Sequence, residues 1–467
     1  MAGSLFRRRS GGAAPRRDAR TVTSGRAERS GLARRTVAVV VSGCALLSGC
    51  TGTAFEIAAD EPAPLQLWTH GGTDAERGVL DDTVAQWERT SGMDVEIRHI
   101  PEGDYPTELQ AAAAAGELPD LLDVDGPQVV NLAYRGDLAE LDALLPTDVR
   151  EDLLPSLREQ GSYRGHLYSA GTFDSGLGLF ADASRLRQVG ARIPTGPQDA
   201  WTAQEFGQVL RDLAATDPDG KVLDLKLSYG MGEWYTYAFS PLLSSAGTAI
   251  LDPQTGRAQG TLDSPEAIAA IGELVTWRSF AVTEDQDAFT DRELAISWVG
   301  HWEYERYRAA LGEDLVLVPL PAFAAGTRSG MGSWAWAIPA TSTRPDEAAE
   351  LLTELLEPHN VRAMTEANGA VPGRLSVLKE SPEYQPGGDL VLYAEQLSRA
   401  CPTALSTDCV AVPRPATPAY PVVTAEFALA ISQAFDQTNP VDPASALSQA
   451  AHRIDADAEA NDYYASP

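Results

Sequence analysis

Lysine is almost absent from this sequence: Lys221, Lys226 and Lys379 are the only three in 467 residues, against 33 arginines. The arginines are unevenly placed, because ten of them lie in residues 1–49 beside only two acidic residues. The rest of the chain has 26 basic and 64 acidic residues, a net charge of −38. So acidic a body repels phosphate backbones, and no stretch after residue 50 gathers basic residues. Nucleic acid is therefore excluded as a partner.

No hydrophobic run in the sequence is long enough to span a membrane. The most apolar stretch, 36–47, has twelve residues, whereas a spanning helix needs about 20. Its length suits the core of a signal peptide, and arginines precede it. It ends in Leu47-Ser48-Gly49-Cys50, which resembles the bacterial lipobox, where the cysteine is acylated after cleavage. The pattern predicts a lipoprotein signal peptide at 1–49, a lipid on Cys50 and a flexible tether at 50–64.

This amino terminus also predicts a location. A lipid on Cys50 would hold the mature protein on the extracellular face of the cell membrane, and the excess of Arg over Lys is typical of a GC-rich genome, here that of a Gram-positive bacterium. The pair Arg34-Arg35 leaves the export route open between the general and the twin-arginine pathways.

Cysteine is scarce, with four residues in all. Cys44 lies inside the signal-peptide core and Cys50 is the lipidation site, which leaves Cys401 and Cys409. Outside the cytosol two such residues are expected to form a disulfide. A metal or redox pair is the alternative, but it lacks a C-x-x-C spacing and a nearby histidine. We therefore expect a disulfide and neither a metal nor a cofactor.

From residue 65 onward, short apolar strands alternate with helical stretches, which is typical of an α/β fold. Strands are predicted at 65–68, 95–100 and 121–124, with helices at 74–90 and through 111–115. This βαβαβ order places ligands at the carboxyl ends of the strands. The further predicted helices are 201–215, 264–280, 345–356, 425–435 and 444–458, and the further predicted strands are 315–320 and 334–338.

Nine short fragments, in order, resemble the extracellular solute-binding proteins of ABC importers, in the carbohydrate-binding branch that is similar to maltose-binding protein. Each fragment is weak by itself, but together they span 65 to about 460. They are LQLW at 65–68, WERTSGMDV at 87–95, GELPD at 116–120, RGDLAELD at 135–142, YRGHLY at 163–168, AISWVGHW at 295–302, VPLP at 318–321, GSWAWAI at 332–338 and AVPGR at 370–374.

The resemblance implies a two-lobed, periplasmic-binding-protein-like fold of type II, in which hinge crossings join the lobes and a ligand cleft lies between them. The first lobe would contain 65–172 and 338–374, and the second 173–337 and 375–467. Such a protein captures a sugar or oligosaccharide and delivers it to the transmembrane permease subunits of an importer. A monomer is expected, and closure follows because the ligand contacts both lobes only in the closed state.

A sugar site needs hydrogen-bonding side chains for hydroxyls and aromatic rings for C–H faces. The resemblance places Trp302 at the family's sugar-stacking position. It also places Glu233, Trp234 and Tyr235 on a segment that faces the cleft from the second lobe, and Asp174 just after the first crossing.

In the first lobe, the strand ends supply candidate ligand-binding residues. These are His70, Gly71, Gly72, Asp123, Asp125 and Gln128. Asp123 and Asp125 would share one face if both lay in the strand, but Asp125-Gly126-Pro127 favours a turn for the second. Trp334 is expected to face the cleft from the crossing strand, and Arg374 to approach its opening.

Other functions remain open from the sequence. A secreted glycosidase would use the same residue types, with Glu303 and Glu305 or Asp123 and Asp125 as paired carboxyls. Against an enzyme, there is no G-x-S-x-G or H-E-x-x-H motif, and the six histidines are scattered. A binding protein that informs a sensor would have the same cleft, and the ligand could also be something other than a sugar.

Overall fold

The structure is a computed structural model that describes residues 63–283, 287–401 and 408–463. The signal peptide predicted at 1–49, the lipidation predicted at Cys50 and all but the last two residues of the tether lie outside these ranges. None of the helices in the described ranges is both long and apolar enough to cross a membrane.

Strands and helices alternate along the chain. In the described residues the strands are β1 Leu65–His70, β2 Val95–Ile100, β3 Leu121–Asp125, β4 Ser162–Tyr163, β5 His166–Leu167, β6 Phe173–Asp174, β7 Leu177–Asp182, β8 Leu223–Asp224, β9 Ile296–Gly300, β10 Leu315–Val318, β11 Ser329–Met331, β12 Trp334–Ala337, β13 Val371–Pro372 and β14 Ala411–Pro413. The α-helices are α1 Asp74–Ser91, α2 Tyr105–Ala115, α3 Gln128–Arg135, α4 Thr147–Asp152, α5 Pro155–Gln160, α6 Ala183–Gln188, α7 Ala203–Ala214, α8 Glu233–Ala246, α9 Pro265–Arg278, α10 Tyr304–Leu311, α11 Pro345–Leu355, α12 Pro358–Asn368, α13 Leu375–Leu378, α14 Val391–Ser398, α15 Tyr420–Phe435 and α16 Pro443–Ala460.

The first sheet has the strand order β12-β3-β1-β2, in which β1, β2 and β3 are parallel and β12 is antiparallel. The predicted βαβαβ opening is thereby confirmed. Local signals explain why it forms: Thr73 caps α1 in a capping box with Glu76, and Gly92 ends that helix in the left-handed conformation. The apolar side chains of β1, β3, α1 and α11 fill the core beneath the sheet.

The second sheet has the order β10-β7-β9-β8, and β7 and β9 are buried along their whole length. Strands covered on both faces need continuous apolar runs, which the sequence supplies in LGLFAD and ISWVG. Helices α7, α8, α9, α15 and α16 complete this larger core, where Trp277 and Trp298 are fully buried. The helices and strands predicted over the corresponding segments are confirmed.

In the described ranges, three segments of the chain run between the two sheets. β6 leads into β7, β11 leads into β12, and β13 follows α12, which packs on α1. Two of these segments pair with each other, because β6 is antiparallel to β13. The third pairs with a strand near the carboxyl terminus: β11 is parallel to β14.

His301 lies where the three segments meet. Its Nε2 is 2.7 Å from Ser175 Oγ, its Nδ1 is 2.7 Å from the carbonyl of Asn368, and Ser175 Oγ is 3.2 Å from Ser333 Oγ. Since Nδ1 faces a carbonyl it carries the proton, and Nε2 accepts from the serine. Burial lowers the pKa of His301 to about 4, against opposing contributions from Asn368 and Glu76, so the neutral ring is maintained.

Two local predictions can be compared with the structure. Cys401 and Cys409 form the expected disulfide, with their Cα atoms 4.8 Å apart. The turn predicted for Asp125 is wrong: this residue is the last of β3, where it pairs with Trp334 of β12. The strand partner lies more than 200 residues further along the chain, so the local D-G-P pattern could not indicate it. Asp123 and Asp125 therefore project from the same face of β3.

Candidate functional site

The carboxyl ends of β1 and β3 meet the first residue of β12 at one edge of the first sheet. His70 ends β1, Asp125 ends β3, and Trp334 lies opposite Asp125 in the antiparallel pair. Parallel strands present their carboxyl ends at a common edge, which is where α/β sheets bind ligands. The edge faces segments that belong to the second sheet and its helices, as the contacts of Asp125 show below.

A histidine–aspartate pair lies at this edge. His70 Nδ1 is 2.5 Å from Asp123 Oδ2, and Asp123 also accepts from the Thr69 hydroxyl at 2.9 Å and from the His70 backbone N–H at 3.0 Å. Burial alone would lower the pKa of His70, but the carboxylates of Asp123, Glu76 and Glu102 outweigh it and raise this pKa to about 8. The ring is therefore an imidazolium at neutral pH.

Aromatic rings surround the same pair. The His70 ring stacks on Trp334 with centroids 4.2 Å apart and planes 5° from parallel, and Tyr105 meets Trp334 edge-on at 5.4 Å. A small cavity of about 30 Å³ lies beside His70, and Phe173 and Trp336 contribute to its lining. The first sheet thus presents charged, polar and aromatic groups side by side.

Arg414 connects this edge to the second sheet. It follows β14, and its guanidinium donates to both oxygens of Asp125 at 2.6 Å and to Glu233 Oε1 at 2.6 Å. Its side chain is 4% exposed. Burial would lower the pKa of Arg414, but the charges of Asp125, Tyr420 and Glu233 raise it further above its ordinary value, so the cation persists.

Glu233 is the first residue of α8, where the positive end of the helix dipole favours a carboxylate. The hydroxyl of Tyr420 donates to Glu233 Oε1, and that of Thr424 donates to Oε2 at 2.8 Å. One turn further along α8, the Tyr237 ring lies beneath the Arg414 guanidinium at 4.7 Å.

The residues in contact around Arg414, here called the cluster, are Asp125, Glu233, Tyr237, Arg414 and Tyr420. Asp174 lies fully buried in β6, next to this cluster. It accepts from the backbone N–H of Ser175 at 2.8 Å and from the Gln160 side chain at 3.4 Å. Burial raises its pKa against these hydrogen bonds. A Cβ atom at Gly332 would come within 2.8 Å of Gln160 and 2.9 Å of Arg414, so only glycine fits between them.

Trp302 is part of a second aromatic group. Its indole N–H donates to the Tyr229 hydroxyl at 3.0 Å, and that hydroxyl donates to Glu303 at 2.9 Å. Glu303 is also 3.2 Å from the buried ammonium of Lys226. Trp234 meets the Trp302 ring edge-on at 6.1 Å. The Trp302 ring is thereby fixed while remaining partly exposed.

The other predicted residues lie around or away from these groups. Gly71 and Gly72 use their carbonyls to accept from Arg77 at the start of α1, and Gln128 begins α3 with its side-chain oxygen buried. The Tyr235 ring packs on Phe239 and Phe435 in the core. Arg374 donates to Asp152 and to the carbonyl of Leu356. The structure does not bring Tyr235 or Arg374 into contact with the cluster.

Three residues of the cluster, Tyr237, Arg414 and Tyr420, were not predicted from the sequence. Tyr237 could have been found, because Glu233 and Tyr237 are i and i+4 on one helix and share a face, whereas Tyr235 at i+2 does not. Arg414 and Tyr420 gave no such signal, since they lie in a proline-rich segment far from their partners in sequence.

One group of described side chains has the spacing of metal ligands. The ligand atoms of Glu140, Asp142 and His166 lie within 4.8 Å of one another on the surface. However, Arg150 lies 3.5 Å from Asp142, and a fixed cation competes with a metal ion for the same carboxylate. These contacts are those of an exposed ion-pair network.

Known proteins resemble this chain over most of its length. Residues 82–390 match the family described as bacterial extracellular solute-binding protein. A protein of Streptomyces antibioticus, described as an uncharacterized lipoprotein in the oleD 5' region, is 25% identical over 393 residues, covering 80% of this chain and 82% of that one.

Solved structures share the fold. An ABC transporter solute-binding protein from Thermotoga lettingae, bound with α-D-tagatose, has a TM-score of 0.71 at 20% identity and covers 85% of this chain and 99% of its own. The GacH receptor of Streptomyces glaucescens, solved unliganded and with acarbose, has a TM-score of 0.70 at 19% identity and covers 85% and 98%. The two-lobed α/β fold expected from the sequence is confirmed by these likenesses.

Proposed function

Because this chain belongs to the bacterial extracellular solute-binding proteins, we propose that it binds a sugar or oligosaccharide between its two lobes. It then delivers the ligand, unchanged, to the permease subunits of an ABC importer. The proteins of similar fold that bind sugars, such as the tagatose-bound protein, support this choice of ligand class and partner.

One observation carries the proposal: carboxylates and aromatic rings from both sheets meet at one boundary. Asp125, from the first sheet, and Glu233, from a helix of the second, both bind Arg414. Trp334 lies opposite Asp125, and Trp234, next to Glu233, contacts the Trp302 ring. Sugar hydroxyls need paired acceptors and donors, and sugar C–H faces lie on aromatic rings. A site that combines these groups is suited to a polyhydroxylated ligand.

The proposal also covers membrane anchoring, oligomeric state and the boundaries of the two lobes. A lipid on Cys50 would anchor the mature protein on the outer face of the membrane of a Gram-positive bacterium, and the described lipoprotein relative supports this. We propose that the protein acts as a monomer. The expected division gives the first lobe 65–172 and 338–374 and the second 173–337 and 375–467, and the packing of α12 on α1 supports it. One boundary is corrected: β12, Trp334–Ala337, pairs with β3 of the first sheet and so belongs to the first lobe.

We further propose that the bound sugar is not hydrolysed. Glycoside hydrolysis needs one carboxylic acid to donate a proton and a second carboxylate to assist. Of the carboxyls that could serve, Asp123 is paired with His70, Asp125 with Arg414, and Glu303 with both Lys226 and Arg306. Burial raises the pKa of Asp125 to about 6, but the Arg414 guanidinium occupies both of its oxygens; burial would also raise the pKa of Glu303, but Lys226 and Arg306 lower it. Neither carboxyl group is placed to donate a proton to a ligand.

A thermal-shift screen of monosaccharides and oligosaccharides tests the proposal. A ligand that binds only the folded state raises the melting temperature by mass action. We expect a shift with at least one sugar, saturable binding of it by calorimetry, and its recovery intact after incubation with pure protein. A complete screen without any shift would refute sugar binding, and a cleaved product would refute the absence of catalysis.

A further inference from the structure

Arg414 is bound on several sides. Its guanidinium has Asp125 and Glu233 at 2.6 Å, the Tyr237 ring below it at 4.7 Å, and the backbone of Gly332 so close that a Cβ atom there would lie 2.9 Å from Nη2. It is 6% exposed as a residue, and its Nε has no hydrogen-bond partner in the described part of the chain. A buried cation needs such compensation, because desolvation is otherwise costly.

The two carboxylates come from different lobes. Asp125 ends β3 of the first sheet, whereas Glu233 begins α8, whose Phe239 packs against Trp298 of β9 in the second sheet. Arg414 follows β14, which pairs with β11, and Asp125 pairs with Trp334 of β12, so the bridge lies across the segment that joins the two sheets. The bridge therefore lies at the boundary between the lobes, where the proposed ligand binds.

The charges of this bridge do not cancel. Asp125 and Glu233 carry two negative charges and Arg414 carries one positive charge, which leaves one net negative charge. The nearby pair of His70 and Asp123 is neutral overall when His70 is protonated. A ligand with its own carboxylate would meet this excess negative charge in a buried place, where like charges repel strongly.

We propose that the bridge of Asp125, Arg414 and Glu233 determines the specificity of this cleft: its one net negative charge admits uncharged sugars and excludes acidic ones, while Arg414 holds the two carboxylates together and disfavours cationic ligands. The inference rests on the proposed sugar-binding function. Without Arg414, the two carboxyl groups would lie side by side with no cation between them, and the amino group of a ligand could take the place of the guanidinium.

The test uses glucose, galactose and mannose, each as the neutral sugar, the amino sugar and the uronic acid, together with the best neutral sugar from the screen. Binding is measured by thermal shift and calorimetry on the full chain. For the wild type, we expect neutral sugars to bind at least about tenfold more tightly than the matching uronic acids. Equal binding of a neutral sugar and its uronic acid would overturn the inference.

Two variants change the charge in opposite directions. Arg414→Gln should weaken neutral-sugar binding by about tenfold or more and raise the amino-to-neutral affinity ratio by a similar factor. Glu233→Gln, which makes the bridge neutral, should raise the uronic-acid-to-neutral ratio. Unchanged ratios in either folded variant would contradict the proposal.

A matched control distinguishes the effect of removing charge at the cleft from the effect of removing an ion-paired arginine elsewhere in the protein. Arg185, on α6, is ion-paired with Asp217 at 2.9 Å, so Arg185→Gln makes the same chemical change elsewhere and should leave all ratios at wild-type values. If Arg414→Gln does not fold, Glu233→Gln and Asp125→Asn still decide the matter through the uronic-acid ratio. If no sugar binds the wild type, the proposed sugar-binding function is refuted. If sugars bind but the affinity ratios do not respond to these substitutions, only the proposed role of the bridge is refuted.

Discussion

Trp302, which we propose contacts the ligand, is held in place by its neighbours. Its indole packs so closely over Gly300 that a Cβ atom there would lie 2.0 Å from the ring, and its N–H is held by Tyr229. The ring is therefore fixed before any ligand arrives, so little side-chain entropy is lost on binding. Aromatic rings contribute both apolar area and directed C–H contacts.

Removing this ring should weaken sugar binding without unfolding the protein. We expect Trp302→Ala to reduce the binding free energy by roughly 1–3 kcal/mol, as for the loss of a well-packed aromatic contact. Calorimetry with the best sugar of the screen measures it. Tyr134→Ala is the control, because Tyr134 is 39% exposed on α3 against Tyr463 and should not change affinity. Wild-type affinity in Trp302→Ala would remove Trp302 from the site.

The turn after β8 illustrates how one element stabilises another. Lys226 takes a positive φ of 52° there, and its fully buried ammonium lies 3.0 Å from Asp224 of β8 and 3.2 Å from Glu303, which follows β9. Burial would lower the pKa of Lys226, but Asp224, Tyr307 and Glu303 raise it above its ordinary value. The cation thus joins the end of β8 to the segment after β9, which carries Trp302.

Loss of this cation should be costly. Lys226→Met leaves two carboxylates without their buried partner, and we expect it to lower the free energy of unfolding by about 3–5 kcal/mol. Urea denaturation measures the change. Lys221→Met is the matched control in the same segment, since Lys221 is partly exposed and donates to the carbonyl of Ser279; its effect should stay within about 0.5 kcal/mol. Equal effects of the two substitutions would show that Lys226 does not stabilise this turn.

The molecule as a whole joins two sheets through segments that meet at His301, while His70 lies at the edge of the first sheet. The pKa of His70 is raised to about 8 and that of His301 is lowered to about 4, from the ordinary value of 6.5. Folding therefore binds a proton at His70 and rejects one at His301. Stability depends on pH in opposite directions at the two residues.

The expected pH profile follows from these signs. Above pH 6.5 the unfolded chain loses the proton that folded His70 retains, so stability falls by about 2 kcal/mol as the pH rises through 8. Below pH 6.5 the unfolded chain gains a proton that buried His301 refuses, which by itself lowers stability by roughly 3 kcal/mol towards pH 4. Burial raises the pKa of Asp125 to about 6, so this carboxyl takes up a proton on folding in the same range and offsets much of that loss. Unfolding free energies measured from pH 4 to 9 check both slopes.

Variants assign the slopes to residues. His70→Asn should flatten the alkaline side, and His301→Asn should raise the stability at pH 4 relative to pH 6.5 by roughly 3 kcal/mol. His359→Asn, at a side chain 70% exposed, should leave the profile unchanged. An alkaline slope that persists in His70→Asn would mean that another group titrates there.

Much of the fold follows from local sequence. The predicted helices and strands were confirmed because hydrophobic periodicity, the Thr73 cap and the glycines that end helices act over a few residues. The site was predicted less completely. His70, Asp123 and Trp334 do meet, since strand order places their strands side by side. The sequence indicated Tyr235, but Tyr237 is the residue of α8 that contacts the cluster. The local D-G-P pattern predicted a turn at Asp125, whereas this residue ends β3.

By itself, the sequence determined an acidic, exported body with alternating strands and helices, a disulfide between two remaining cysteines, and its family. These properties depend on composition, periodicity and motif order, which can be read along the chain. Only the tertiary structure decided that Arg414 lies between Asp125 and Glu233, which are 289 and 181 residues away from it in sequence. The reason is physical: a buried ion pair depends on which surfaces the folded chain brings together and removes from water, and no local pattern encodes that meeting.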